Sequence, residues 1–99
     1  MATALTEAEL ASVRTALPMW QVDAQALTRS VRAPSFLAGI DWVVAIAAAA
    51  EELNHHPDID IRWRTLRLAL STHDVGGVVS DLDVALAARI DAIVAGSET

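Results

Sequence analysis

The chain contains no cysteine, which excludes a disulfide framework and thiolate metal sites and removes the thiol as a nucleophile. Folding must rest on packing alone. Lysine is also missing: all seven basic residues are arginine, set against 13 acidic residues, for a formal charge of −6. With no basic surplus to neutralise a phosphate backbone, direct nucleic-acid binding is disfavoured. Long apolar runs are lacking too. The longest, Trp42 to Ala50, is closed by Asp41 and Glu51 and falls short of the ~20 residues that span a bilayer. Met1 to Glu9 lacks the positive n-region of a secretory signal, so a cytoplasmic protein is expected. No internal repeat or low-complexity linker interrupts the chain.

What is present is apolar material. In 99 residues, 54% of them hydrophobic, there is enough to bury one core and too little for a second. A single domain over residues 1–99 is expected, with surplus apolar surface left for a subunit contact.

Hydrophobic spacing sets out the elements. Thr6 and Glu9 have the spacing of a capping box, and Leu5, Leu10, Val13 and Leu17 recur at helical intervals before Pro18. Met19 to Val22 and Ala26 to Arg32 flank an Asp23-Ala24-Gln25 turn and read as a hairpin. Pro34 suits a first helical turn, and Ser35 to Leu53 has no further breaker, so the longest helix falls there. Its apolar residues cover more than one stripe, which leaves a face for a partner subunit. Ile59, Ile61 and Trp63 alternate with Asp60, Arg62 and Arg64. The phase then shifts to Leu66, Leu68 and Leu70, as in a second hairpin turning near Arg64 without glycine or asparagine. Gly76-Gly77 breaks the chain, and Ser80 with Asp83 resembles a capping box opening a last helix from Asp81 to about Ala95. The order α-β-β-α-β-β-α predicts an α+β fold: a four-stranded, mainly antiparallel sheet with three helices on one face and the other partly solvated.

All three histidines lie close together: His55 and His56 after the long helix, His73 at the end of the last strand. Helix and strand ends project side chains from a rigid scaffold, so the three are candidates to converge on one cleft. Imidazole gives and takes protons near neutral pH, which makes the cluster a candidate for general acid-base work. Glu51, Glu52, Asp58, Asp74 and Asp83 are the carboxylates placed to orient it. Histidines at loop boundaries also serve as caps, turn residues or surface groups. A zinc site is a further alternative, although adjacent histidines point apart and chelate poorly. Trp20 and Trp63 are sized to wall a flat heterocycle or to fill the core.

The stretch Glu51-Glu52-Leu53-Asn54-His55-His56-Pro57, followed by Trp63, His73 and Asp83, resembles the pterin-4a-carbinolamine dehydratase family. Glu51 stands four before His55, Trp63 six after Pro57, His73 ten after Trp63 and Asp83 ten after His73. The likeness extends upstream through the first helix, Trp20, the Leu27 to Arg32 strand and Phe36. It implies removal of water from a 4a-hydroxytetrahydropterin to give a quinonoid dihydropterin, with no metal or organic cofactor. It also implies that His55, His56 and His73 are catalytic with Glu51 and Asp83 in support. Asn54, Pro57, Ser71, Thr72 and Asp74, with Trp20, would then contact the pterin. Two departures stand out. Ile59 occupies a place where many relatives carry an aromatic residue, which implies a thinner pocket wall. The link from His73 to Asp83 is one residue longer than in animal members. The resemblance further implies a homodimer or homotetramer. It leaves a rival role open, that of a dehydratase-like binding or assembly protein, since some members are dimerisation partners of a transcription factor or enzyme-assembly factors.

Overall fold

The computed structural model describes residues 2–96. In chain order it contains α1 (Glu7–Ala16), β1 (Gln21–Val22), β2 (Leu27–Arg32), α2 (Phe36–Leu53), β3 (Asp58–Arg62), β4 (Thr65–Leu70), a single 3₁₀ turn (His73–Val75) and α3 (Asp81–Val94). The strands form one antiparallel sheet in the order β1-β2-β4-β3. This is the α+β arrangement that the hydrophobic spacing predicts.

Strand alternation explains how the two faces of the sheet separate. Pairing places Val31, Leu66 and Ile61 in one cross-strand row and Arg29, Leu68 and Ile59 in the next. These residues, with Leu27 and Leu70, point toward the helices. The opposite rows, Ser30-Arg67-Asp60 and Arg32-Thr65-Arg62, face away from them. A side-chain period of two makes this division obligatory once one row is buried. Leu27, Leu66, Leu68 and Leu70 are almost wholly buried, and each such side chain contributes roughly 1.5–3 kcal/mol relative to exposure.

All three helices close over the inner face. Leu10 and Val13 of α1, Trp42, Ile46, Ala49 and Ala50 of α2, and Leu86, Ala87, Ile90 and Val94 of α3 belong to the same core cluster. At Gly39, α2 comes so close to the sheet that an added Cβ would lie 3.2 Å from Ile61 Cδ1 and 3.3 Å from Leu66 Cδ1. Arg29 is the polar exception on the inner face: it is buried, and its guanidinium reaches Asp91 of α3, which also accepts from Trp20 Nε1 at 2.7 Å.

Both predicted capping boxes form, Thr6 with Glu9 and Ser80 with Asp83. Other boundaries differ from the sequence reading. Pro34 lies outside the helix, because Ser35 takes the N-cap with its side chain accepting from Ala38 N. Met19 is exposed and precedes β1, which has only two residues. Trp63 is not a strand residue. It forms the hairpin tip with Arg64 and has φ 53, the positive φ that a two-residue hairpin turn requires of its first central residue and that glycine or asparagine usually supplies. Its ring is 72% exposed and lies under the Arg64 guanidinium, 4.8 Å from the ring centre. No helix among the described residues is long and apolar enough to cross a membrane.

Candidate active site

Two chain reversals build the site. At the end of α2, Asn54 adopts a left-handed conformation (φ 48) and its N–H donates to the carbonyls of Ala50 and Glu51. Asparagine tolerates this C-terminal position better than most residues. The chain turns sharply there, and the His55 N–H closes on Ala50 O at 3.0 Å. After β4, Thr72 pairs with Val78 across a short loop whose reversal needs positive φ at Gly76 (89°) and Gly77 (75°). His73 opens the 3₁₀ turn inside this loop rather than ending the strand.

These reversals bring the predicted groups together. Asn54, His55, His56, Ser71, Thr72, His73, Asp74 and Leu82 line one cleft of about 200 Å³. The three imidazoles therefore meet at one concavity from two chain segments. A larger hollow of about 480 Å³ lies on the helix-free face of the sheet, around Thr28, Ser30, Asp60 and Arg67. No imidazole lines it.

Within the cleft the histidines have distinct partners. His55 is buried, and its Nε2 lies 2.5 Å from Oδ1 of Asp83, a carboxylate with no exposure to solvent. The other oxygen, Oδ2, accepts from Thr72 Oγ1 at 2.8 Å and from Ser80 N at 2.9 Å. Asp83 is thus both the carboxylate of the α3 capping box and the partner of His55. His56 and Glu51 are also 2.5 Å apart, through Nε2 and Oε2, but this pair is exposed. His73 is exposed.

Other predicted positions lie apart. Trp20 is buried in the core with its indole N–H on Asp91, and it lines neither concavity. Pro57 is half-buried just before β3 and does not line the cleft; Glu51 reaches it only through His56. Ile59 packs against the core and edges the sheet-face hollow, so its small size thins no wall of the histidine cleft. Leu82 supplies an apolar wall of the cleft and Ser80 caps α3 against Asp83; in the sequence Leu82 carries no signal of a site residue and Ser80 reads as a cap alone. Among the described residues, no group of three or more His, Asp or Glu side chains is arranged to hold a metal ion.

The fold and cleft define a small α+β protein with three histidines lining one concavity. Comparison with known proteins gives the family: the model for pterin 4 alpha carbinolamine dehydratase matches residues 3–93. The chain belongs to the pterin-4a-carbinolamine dehydratase family. A relative from Mycobacterium tuberculosis, named provisionally as a pterin-4-alpha-carbinolamine dehydratase, is 49% identical over 89 residues, covering 90% of this chain and 94% of its own. One from Chloroflexus aurantiacus with the same provisional name is 46% identical over 89 residues, covering 90% and 95%. A transcriptional coactivator/pterin dehydratase from Brucella melitensis superposes with TM-score 0.85 at 34% identity, covering 92% of this chain and 98% of that one. A pterin dehydratase-like protein identified as a RuBisCO assembly factor in the alpha-carboxysome superposes with TM-score 0.62 at 28% identity, covering 79% and 88%.

Proposed function

We propose that the chain is a hydro-lyase that dehydrates a 4a-hydroxytetrahydropterin to the quinonoid dihydropterin. The observation that carries this reading is the convergence of His55, His56 and His73 on one cleft. The chemistry needs an acid and a base on opposite sides of one bond. A protonated imidazole gives its proton to the 4a-hydroxyl, and the C4a–O bond breaks with water as the leaving group. The N5 lone pair forms the C4a=N5 double bond, and a neutral imidazole takes the proton from N5. Nothing is oxidised or reduced, so the step calls for no electron carrier.

The cleft is smaller than the ~300–1,000 Å³ typical of drug-sized ligands, in keeping with a bicyclic ring whose substituent stays outside. Asn54, Ser71 and Asp74 supply polar edges for the ring and Leu82 an apolar one. The physiological assembly we propose is a homodimer or homotetramer, supported by the exposed Leu37 and Val44 on the outer side of α2.

The test supplies chemically generated 4a-hydroxytetrahydropterin and follows the quinonoid product by ultraviolet absorbance. The wild type is expected to exceed the buffer rate, and His55→Ala and His73→Ala are expected to lose most of that excess. A wild type no faster than buffer overturns the enzymatic reading. It would favour a binding or assembly role, which the likeness to the carboxysome assembly factor supports.

A further inference from the structure

The cleft side of the site is accounted for by three imidazoles, but the buried hydroxyls behind it are not. Thr72 is 3% exposed and Ser80 is fully buried. Their oxygens are 2.6 Å apart, and Thr72 Oγ1 also lies 2.8 Å from Asp83 Oδ2. We infer that Thr72 and Ser80 are positioning residues: they form a one-way chain of donors onto the Asp83 carboxylate that holds His55 as the Nε2–H tautomer, leaving Nδ1 as the nitrogen that exchanges protons with substrate. This rests on the dehydratase reading and assigns the working atom within it.

The direction of the chain follows from counting protons. A hydroxyl has one proton to give, and that of Thr72 goes to Asp83 Oδ2. Ser80 Oγ must therefore donate to Thr72 Oγ1, and it in turn accepts from Leu82 N at 3.2 Å. Ser80 N adds a second donor to Oδ2 at 2.9 Å. Asp83 as a carboxylate only accepts, at Oδ1 as at Oδ2. The proton shared between Oδ1 and His55 then belongs to Nε2, and in neutral imidazole the other nitrogen is the acceptor.

The frame that holds the chain is rigid on both sides. Val79 is clamped between strand-like partners, its N–H donating to Ala24 O at 3.0 Å and its carbonyl accepting from Leu5 N at 3.1 Å. Thr72 is held by its own N–H on Val78 O at 2.9 Å. Thr72, which the family likeness puts among the pterin contacts, thus turns its hydroxyl into the protein rather than toward the ring.

The test combines imidazole nitrogen NMR with kinetics on Thr72→Val, which keeps the shape and removes the hydroxyl, and on Thr72→Ser, which restores it. In the wild type at high pH, the two His55 nitrogens are expected to be widely separated in shift, with the proton on Nε2. In Thr72→Val the separation should narrow toward that of a tautomer mixture, and kcat should fall about 10-fold or more with KM within about twofold, the scale of lost outer-shell support. Thr72→Ser should return both toward wild type. Should Thr72→Val fail to fold, Ser80→Gly makes the same measurement one link back, because glycine is a tolerated N-cap. An unchanged tautomer, or a raised KM with kcat intact, overturns the inference; the second outcome would make Thr72 a pterin contact. A wild type inactive toward the pterin removes the dehydratase reading, and the NMR arm still decides whether the hydroxyls set the tautomer.

Discussion

His55 and His56 are neighbours in the chain and opposites in their surroundings. The His55–Asp83 pair has side-chain exposures of 10% and 0%, and the His56–Glu51 pair 59% and 74%. Both contacts are 2.5 Å long, so distance alone does not distinguish them. The surroundings do. Away from water the interaction is strong and the geometry fixed, whereas an exposed ion pair is worth only ~0–1 kcal/mol and is screened by salt. The buried pair therefore holds its imidazole in one orientation, and the exposed pair presents a solvated imidazole to the cleft.

The widest gap should come from the imidazoles. His55→Ala is expected to lower kcat about 10²–10⁴-fold, the usual range for a general acid or base, and His56→Ala by less than a tenth of that factor. Stopped-flow measurement of dehydration decides it, and equal losses would dissolve the distinction. Asp83→Asn comes next. Its amide cannot accept from both Thr72 and Ser80 on one oxygen while also accepting from His55 on a nitrogen, so kcat should fall about 10–100-fold. In urea titration the same variant should lose ~1–3 kcal/mol of stability, the penalty for an unsatisfied buried polar group. Smallest of all is Glu51→Gln. It should leave stability within ~0.5 kcal/mol and narrow the difference between low- and high-salt activity. A large stability loss there would mean that the exposed pair is structural after all.

Much of the scaffold under both pairs was legible in the residues. Period-two alternation in Leu27–Arg32 and Thr65–Leu70 identified the buried rows, and Ser80 with Asp83 announced the start of α3. Three features escaped because they depend on the closed fold. Trp63 continues the alternation of β3, yet a two-residue connection forces it out of the strand into a turn. Trp20 reads in the sequence as core or as pocket wall, and the closed fold decides for core, with its indole N–H on Asp91, 71 positions along the chain. The hydroxyl of Thr72 faces inward because Val78 pairs with it across a glycine loop, and a string of letters gives no sign of which way a threonine on such a loop will turn. The gathering of histidines was foreseeable as a possibility from their places at element ends. Their unequal burial was not, since adjacency says nothing about which of two side chains will meet α3.

The hairpin tip has one more consequence. Of the three indoles, Trp20 and Trp42 are 5% and 6% exposed while Trp63 stands in water, so a neutral collisional quencher such as acrylamide should reach a single emitter in the folded chain. Any second molecule that settles over Arg62–Arg64 would dim that quenchable component without touching the other two. The protein thus carries its own optical reporter for contacts at the far end of the sheet, with no dye attached.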